Sequence, residues 1–415
     1  MRYFIRILSI FCSALCVIIF SLIYLGCRFI PDNITIVENS RTVVPNFFGA
    51  SMYGVKGVYE AGVAEGTART SQNETEVTLL KIIPVKNAKI TGTKRQYVTI
   101  GGDIFGIKLY TNGVIVVSTD TIETDEGSVN PAKEADLRIG DIIISVNGTD
   151  IQSVKHLSSI IQESNGEYVN MTVLRSGIEK KISFRTVKEK ISNKYRAGLW
   201  VRDSTAGIGT VTFYKTENNS FAGLGHAICD TDTDKIMPMK SGEMAEAYVN
   251  GFYKSSNGSV GELCGVFTGK NTGVLCVNDE TGIYGYTTKT INGKMYPVAV
   301  KQEVHEGEAQ IFCTIDNSEP KLYNVKIVKV NSNSASVNKD MVIEITDEEL
   351  LSKTGGILQG MSGTPIIQDG MLVGAVTHVF VNNTKQGYAI FAERMLETSV
   401  CQEMKKYEQF LQNAA

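Results

Sequence analysis

The stretch "GGILQGMSGTPIIQDGMLVGAVTHVF" (residues 355–380) holds a serine, Ser362, in a Gly-x-Ser-Gly arrangement and continues into two apolar runs. The turn residues "QDG" separate these runs, which predicts two strands joined by a tight turn. Gly360 allows the backbone to turn so that its own N–H and that of Ser362 point at one spot. Two such amides stabilise the oxyanion of a tetrahedral intermediate, at about 2.7–4 kcal/mol for each donor. Because Gly-x-Ser-Gly is also common in ordinary turns, the partners of Ser362 have to be found elsewhere in the chain.

The remainder of the chain has the composition of a strand-rich globular protein. Its 415 residues are enough for two or three domains at roughly 100–200 residues each. Thirty-nine glycines against eight prolines favour many turns, and short apolar runs separated by turn residues continue from residue 196 onward. We therefore predict a mainly β fold with a β-barrel or sandwich in the C-terminal half. The net charge of −3 and the lack of a dense basic block argue against nucleic acid as a partner.

The first thirty residues have the features of a membrane anchor. Residues 7–27 contain no charge, and these twenty-one residues at about 1.5 Å each match the roughly 30 Å hydrocarbon core of a bilayer. Arg2 and Arg6 precede this run and only Arg28 follows it closely, so the positive-inside rule predicts a cytoplasmic N-terminus and an extracytoplasmic bulk. We thus assign residues 1–30 to a cytoplasmic tip and a transmembrane anchor. A cleaved signal peptide and a lipoprotein cysteine in "YLGC" are the alternatives.

The cysteines do not form the pattern of a metal site. Of the eight, three lie in the apolar run and five are scattered over the rest of the chain. Neither a Cys-x-x-Cys pair nor a Cys/His cluster is present in the sequence, so we predict no metal site.

A second recognisable unit lies between residues 92 and 187. The segment "GGDIFGIKLYTNGVIVVSTD" predicts two strands around "TNG", and "SVKHLSSIIQES" predicts a helix with Ser153 as its N-cap. Together with "PAKEADLRIGDIIISVNG", this order resembles a PDZ domain. The resemblance implies that a peptide adds a strand beside a carboxylate-binding loop and rests on the helix, and the occupant is either an external peptide or a segment of this chain. The implied contact residues are Gly106, Ile107, Leu109, Val154 and Leu157.

A serine nucleophile needs a base and a group that orients the base. His226 lies in "FAGLGHAICD", where glycines bring backbone close to the ring, while His378 follows the serine loop on a predicted strand. Asp347 lies fifteen residues before Ser362 and is nearly as well placed to be the N-cap of a helix beginning "EELL". Spacing alone leaves other acids open, namely Asp316, Asp230, Asp232 and Asp234.

Longer strings of residues identify a family. The segments "GLWVRDSTAGIGTVTFY", "GLGHAICDTDT" and "TDEELLSKTGGILQGMSGTPIIQDGMLVGAVTHVF" resemble the SpoIVB family of sporulation serine peptidases, which is classed with the chymotrypsin-like peptidases. The resemblance covers nearly the whole chain. It implies a transmembrane helix, a juxtamembrane segment over residues 31–91, a PDZ domain over 92–187 and a chymotrypsin-like double β-barrel peptidase domain over 196–415.

The same resemblance implies a role for each site residue. The histidine base of the family falls on His226, the aspartate on Asp347 and the serine nucleophile on Ser362. The N–H groups of Gly360 and Ser362 then form the oxyanion hole, and no cofactor is needed.

The family resemblance also implies a place in endospore formation. The protein is expected in the forespore inner membrane, with its bulk in the space between forespore and mother cell. There it is expected to cleave itself and a membrane-associated regulator of an intramembrane protease, which triggers activation of a late mother-cell sigma factor. The alternative function is a non-catalytic PDZ scaffold or signalling protein at the membrane.

Overall fold

The computed structural model describes residues 2–29, 33–37, 50–52, 72–79, 83–332, 334 and 336–399. Within these residues the helices are Arg2–Phe29 (α1), Pro131–Glu134 (α2), Val154–Glu163 (α3) and Glu348–Thr354 (α4), with a 3₁₀-helix at Lys301–Glu303 and further helical turns over 392–399. The strands that precede residue 197 are Asn33–Val37 (β1), Ala50–Met52 (β2), Gln72–Leu79 (β3), Ile83–Thr93 (β4), Tyr97–Ile100 (β5), Ile104–Thr119 (β6), Ile122–Thr124 (β7), Gly127–Val129 (β8), Ile142–Val146 (β9), Thr149–Asp150 (β10), Tyr168–Arg175 (β11), Ile178–Arg185 (β12), Val187–Lys188 (β13) and Tyr195–Arg196 (β14). The later strands are Leu199–Lys215 (β15), Ser220–Gly223 (β16), Met239–Tyr253 (β17), Glu262–Asp279 (β18), Gly282–Thr287 (β19), Met295–Pro297 (β20), Gly307–Cys313 (β21), Lys321–Val330 (β22), Met341–Ile345 (β23), Pro365–Gln368 (β24), Met371–Phe380 (β25) and Asn383–Phe391 (β26).

The N-terminal helix α1 is long and apolar enough to cross a membrane. Its apolar part, Tyr3–Leu25, has 23 residues and a mean hydropathy of 2.6, and it is not buried against the rest of the protein. A helix suits a bilayer because all of its backbone polar groups bond within the segment. The predicted apolar N-terminal helix is confirmed, while residues 1 and 30 of the predicted anchor lie outside the described residues.

A small sheet follows the anchor. Its strand order is β1-β4-β3-β2, with β1 parallel to β4 and the other pairs antiparallel. The predicted juxtamembrane segment 31–91 therefore contains strands where it is described, and its other residues lie outside the described part of the chain.

The first barrel is the ring of strands β6-β17-β18-β19-β16-β15. It is closed because β15 pairs with β16 on one side and with β6 on the other. Its interior is filled by apolar side chains that alternate along the strands, among them the edge-to-face pair Phe105 and Phe221 with ring centroids 5.6 Å apart. Each such side chain contributes about 1.5–3 kcal/mol when it is fully buried.

The second barrel is the closed ring β21-β22-β23-β26-β25-β24. Strand β22 shows the alternation that forms it, since Tyr323, Val325 and Ile327 are buried in the interior while the residues between them face outward. A shared apolar layer that includes Phe213, Leu372 and Ile390 packs between the two barrels. The mainly β fold with a chymotrypsin-like double β-barrel is confirmed.

The PDZ unit packs on the first barrel through shared strands. Its core is built on α2, α3, β9 and β11, with Leu157 and Ile161 of α3 buried. The predicted N-cap is present, because the Ser153 Oγ accepts a hydrogen bond from the backbone N–H of His156 at 3.1 Å. The C-terminal end of β6 and the first residues of β15 complete this unit, so both strands belong to the PDZ unit and to the barrel.

The predicted carboxylate-binding loop at Gly106, Ile107 and Leu109 is wrong. These residues lie in the middle of β6, where Leu109 pairs with Thr205 of β15 on one side and with Gly242 of β17 on the other. Ile107 and Leu109 are buried in the first barrel and on its margin. With both edges of the strand already paired, no peptide can be added here. The N-terminal part of the predicted domain 92–187 therefore belongs to the barrel.

Candidate active site

The predicted nucleophile, Ser362, lies in the loop of residues 355–364 that joins α4 to β24, called the nucleophile loop below. Gly360 and Gly363 both have φ of +95°, a region that side chains other than glycine rarely adopt. A Cβ at Gly363 would lie 2.0 Å from the carbonyl oxygen of Thr210 and 2.5 Å from the backbone nitrogen of Leu224. The loop therefore needs glycine at these positions, and it is pressed against the segment that leads to His226.

Two amides of this loop are available for an oxyanion. The backbone N–H groups of Gly360 and Ser362 have no hydrogen-bond partner within the described part of the chain. The peptide that carries the Gly360 N–H is fixed through its carbonyl, since Gln359 O accepts from Leu263 N at 2.9 Å. The peptide that carries the Ser362 N–H is fixed in the same way, since Met361 O accepts from Thr364 N at 3.0 Å. Because C=O and N–H point in opposite directions in a trans peptide, the carbonyl bonds also fix the direction of both N–H groups.

His226 lies close to the serine loop and next to a second imidazole. The rings of His226 and His378 have centroids 4.9 Å apart and are tilted by 38°. Nδ1 of His226 is 2.8 Å from the carbonyl oxygen of Ala227. A proton on Nδ1 is then donated to this carbonyl, which leaves Nε2 as the basic nitrogen. Burial lowers the pKa of His226 because the charged imidazolium is desolvated.

His378 is also held neutral. Its pKa is lowered to about 4, chiefly because neighbouring residues desolvate the ring, and further by the charges of His226 and Lys339. Both imidazoles line an open pocket of about 360 Å³ together with Glu280 and Asn338. Glu280 was not predicted as a site residue, and no local sequence pattern marks it.

The hydroxyl of Ser362 bonds to a backbone carbonyl and not to His226. Its Oγ donates to the carbonyl oxygen of Thr377 at 2.7 Å. Thr377 directly precedes His378 on β25, so the serine lies beside the two imidazoles without a hydrogen bond to either of them. Sequence reasoning missed this bond, because the position of a backbone carbonyl depends on how distant strands pair.

Asp347 does not contact His226 in this structure. It is the N-cap of α4: Oδ1 accepts from Leu350 N at 3.0 Å and Oδ2 accepts from Asn324 N at 3.1 Å. The structure therefore brings His226 and Ser362 into one region and places the carboxylate of Asp347 on backbone amides elsewhere.

None of the described hydrogen bonds joins an alternative acid to the His226 ring either. Asp230 and Asp232 pair with Arg202, and Asp316 bonds to Ser318. Among the described hydrogen bonds, the partner of the His226 ring is the Ala227 carbonyl.

The groove beside helix α3 lies elsewhere than predicted. Val154 and Leu157 line a cleft of about 590 Å³, as expected, but its opposite wall is formed by residues 194–201. Residues 199–202 of β15 pair with β6 along one edge, and no strand among the described residues pairs with the other edge. A peptide is therefore expected to add beside residues 199–202. The string "GLWV" at 198–201 has the same glycine-then-apolar pattern as "GIKL", which is the signal that could have located it.

Comparisons with known proteins agree with this organisation. A model of the SpoIVB peptidase S55 family matches residues 193–396, and a PDZ domain model matches residues 128–175. No curated protein matches the sequence significantly. The solved structure of the M. tuberculosis protease Rv3671c in its active form is similar at 11% identity over 48% of this chain and 74% of that chain, with a TM-score of 0.30. The HtrA-type protease AlgW with a decapeptide is similar at 12% identity over 49% of this chain and 55% of that chain, also with a TM-score of 0.30.

The family match spans the second barrel and most of the first. It includes His226, Asp347 and Ser362. The PDZ match precedes it in the chain and covers α2, α3 and the strands β9, β10 and β11. The chain is therefore a serine peptidase of the chymotrypsin-like type, with a SpoIVB peptidase S55 domain over residues 193–396.

Proposed function

We propose that the protein is a membrane-anchored serine endopeptidase in which Ser362 is the nucleophile and His226 the general base. The observation that carries this proposal is the pair of unpartnered, oriented amides at Gly360 and Ser362, in a loop that lies against the segment holding His226. An oxyanion hole of this kind is the largest single contribution to many acyl-transfer reactions.

The reaction follows from these groups. Ser362 Oγ leaves the Thr377 carbonyl and attacks the scissile carbonyl carbon, while Nε2 of His226 takes its proton. The new oxyanion accepts hydrogen bonds from the amides of Gly360 and Ser362. As the C–N bond breaks, His226 gives the proton to the leaving amine, and water then hydrolyses the acyl-enzyme with the same base. Asp347 is proposed to orient the imidazole in the substrate complex, where its carboxylate has to exchange the amides of Leu350 and Asn324 for the His226 ring. No cofactor takes part.

The free edge of β25 supports a protein substrate. Residues 378–380 pair with β26 on one side, whereas pairing with β24 ends at Ala375 and no other described strand covers this edge. An extended peptide added here would lie next to Ser362, because Thr377 O is already within hydrogen-bond distance of its Oγ.

The family and the N-terminal helix support a role in endospore formation. The proposed location is the forespore inner membrane, with a cytoplasmic N-terminus and the peptidase facing the intermembrane space. The proposed substrates are the protein itself and a membrane-associated regulator of an intramembrane protease. The PDZ groove is proposed to bind a peptide ligand or a segment of this chain.

A second candidate function is a non-catalytic PDZ scaffold. It is favoured by one observation, namely that Ser362 and Asp347 bond to backbone groups and not to His226.

Terminal sequencing of the membrane-inserted protein separates the two functions. The peptidase predicts new N-termini in wild-type protein that are missing from Ser362→Ala. Identical termini in both proteins would favour the scaffold. If new termini are found in wild type alone, their positions locate the self-cleavage site.

A further inference from the structure

Thr210 of β15 joins the two halves of the candidate active site. Its backbone N–H donates to Ser362 O at 3.0 Å, and its Oγ1 donates to Gly360 O at 3.0 Å. Its carbonyl accepts from Leu224 N at 3.3 Å, two residues before His226. The side chain is fully buried, so these bonds are formed away from water and a lost partner is costly.

The hydroxyl bond holds the one loop peptide that lies between the two oxyanion amides. Gly360 O belongs to the peptide that joins Gly360 to Met361, whereas the oxyanion N–H groups belong to the peptides directly before and after it. Glycine at φ +95° has wide backbone freedom, so two hydrogen bonds have to hold this peptide: Gly360 O accepts from the Thr210 hydroxyl, and the Met361 N–H donates to Leu358 O at 3.1 Å. Without the first bond, the peptide is held at its N–H end alone. If the peptide rotated, the aims of the Gly360 and Ser362 amides would change together.

We infer that Thr210 is a positioning residue. It keeps the N–H groups of Gly360 and Ser362 directed at the oxyanion, and it holds their loop in place against the segment that leads to His226. This inference rests on the proposed function of Ser362. Thr210 touches neither substrate nor the reacting atoms, and it acts through the loop.

The test compares Thr210→Val with Thr210→Ser in the full-length protein. Valine has the shape of threonine without the hydroxyl, and serine restores the donor. The readout is labelling of Ser362 by a fluorophosphonate probe, resolved into a limiting rate and a half-saturating probe concentration. Since loss of a whole oxyanion donor costs about 10²–10³-fold, we expect a roughly 10–100-fold lower limiting rate in Thr210→Val and recovery in Thr210→Ser. The half-saturating concentration is expected to stay unchanged.

Thr272→Val is the matched control. Thr272 is likewise buried in the first barrel, on β18, and its Oγ1 donates to Met244 O of β17 at 3.1 Å, so it bonds to no residue of the loop that holds Ser362. We expect a similar loss of thermal stability in Thr272→Val and Thr210→Val, but a near wild-type labelling rate in Thr272→Val.

The outcomes distinguish this inference from the function on which it rests. Labelling of wild type but not of Ser362→Ala, with Thr210→Val as fast as wild type, would overturn the positioning role and leave the peptidase intact. Equal slowing in both valine variants would also overturn it, since the effect would then be general. A wild type that is not labelled would overturn both. If Thr210→Val does not fold, Thr210→Ala removes the donor with a smaller side chain, and a wild-type rate there would again reject the role.

Discussion

At the scale of single residues, Asp347 has two roles that can be separated. Its carboxylate caps α4 through Leu350 N and Asn324 N, and it is also proposed to orient His226. Asparagine caps helices as well as aspartate does and keeps an acceptor for Leu350 N, although its amide nitrogen cannot accept from Asn324 N. Asp347→Asn is therefore expected to lower the melting temperature by only a few degrees. Without the charge, we expect cleavage to slow by roughly 10⁴-fold.

Asp347→Ala is the control for the cap. It removes both cap and charge, and it is expected to lower the free energy of unfolding by about 1 kcal/mol. A wild-type cleavage rate in Asp347→Asn would restrict Asp347 to the cap and leave the Ala227 carbonyl as the orienting group.

The two neighbouring imidazoles make a second prediction. Because His226 bonds through Nδ1 to Ala227 O and presents Nε2 as the base, His226→Ala is expected to lower fluorophosphonate labelling by at least about 100-fold. His378→Ala is expected to stay close to wild type. Labelling that persists in His226→Ala and disappears in His378→Ala would transfer the role of base to His378.

The pH dependence follows from the burial of His226. Burial lowers its pKa below the ordinary 6.5, and a base has to be neutral, so the labelling rate rises with pH with its midpoint below pH 6.5. Measured at low probe concentration, this rate reports the free enzyme. The same sign applies to stability: the unfolded state binds a proton near pH 6.5 before the folded state does, so the free energy of unfolding falls as pH drops below 6.5. An acid limb centred above pH 6.5 would place a carboxylate beside the ring of the free enzyme.

Part of the site could be predicted from the sequence. The glycines around Ser362 indicate the loop because backbone turns of this kind need φ above zero, and "TDEELL" indicates the cap formed by Asp347. The bonds of Ser362 to Thr377 O and of His226 to Ala227 O could not be predicted. The first depends on how β25 pairs with its neighbours, and the second on the rotamer of a ring among buried groups.

At the scale of elements, strand β15 and helix α3 define the peptide groove. Val154 lines this groove, so Val154→Arg is expected to abolish selection of binders from a random dodecapeptide phage library, whereas wild type selects them. Ile178→Arg is the matched control, since Ile178 is exposed on the PDZ unit and does not line the groove. Trp200, the single tryptophan of the chain, lines the groove, so its emission is expected to shift to the blue when a selected peptide binds. Binding that survives Val154→Arg would place the ligand site elsewhere.

The misplaced groove shows what local sequence leaves out. "GIKL" and "GLWV" both place a glycine before apolar residues, and only the pairing of β6 with β15 and β17 shows that the first is a covered barrel strand. The helix of the groove was predicted correctly because its apolar spacing and its Ser153 cap are local features.

At the scale of the whole molecule, the PDZ unit is not a tethered module. Strand β15 runs from the groove at residues 199–202 to Thr210 at the nucleophile loop, and β6 accompanies it for most of this length. The order of anchor, PDZ unit and peptidase could be predicted from the sequence, whereas the sharing of strands could not, since it depends on contacts between residues far apart in the chain.

The central claim is that Ser362 is the nucleophile of a serine peptidase, and peptide mapping after fluorophosphonate treatment tests it most directly. Folded wild-type protein is predicted to gain one covalent adduct, located by mass spectrometry at residue 362, and Ser362→Ala and heat-denatured protein are predicted to gain none. Folded wild-type protein without an adduct, or an adduct that persists in Ser362→Ala, would contradict the claim.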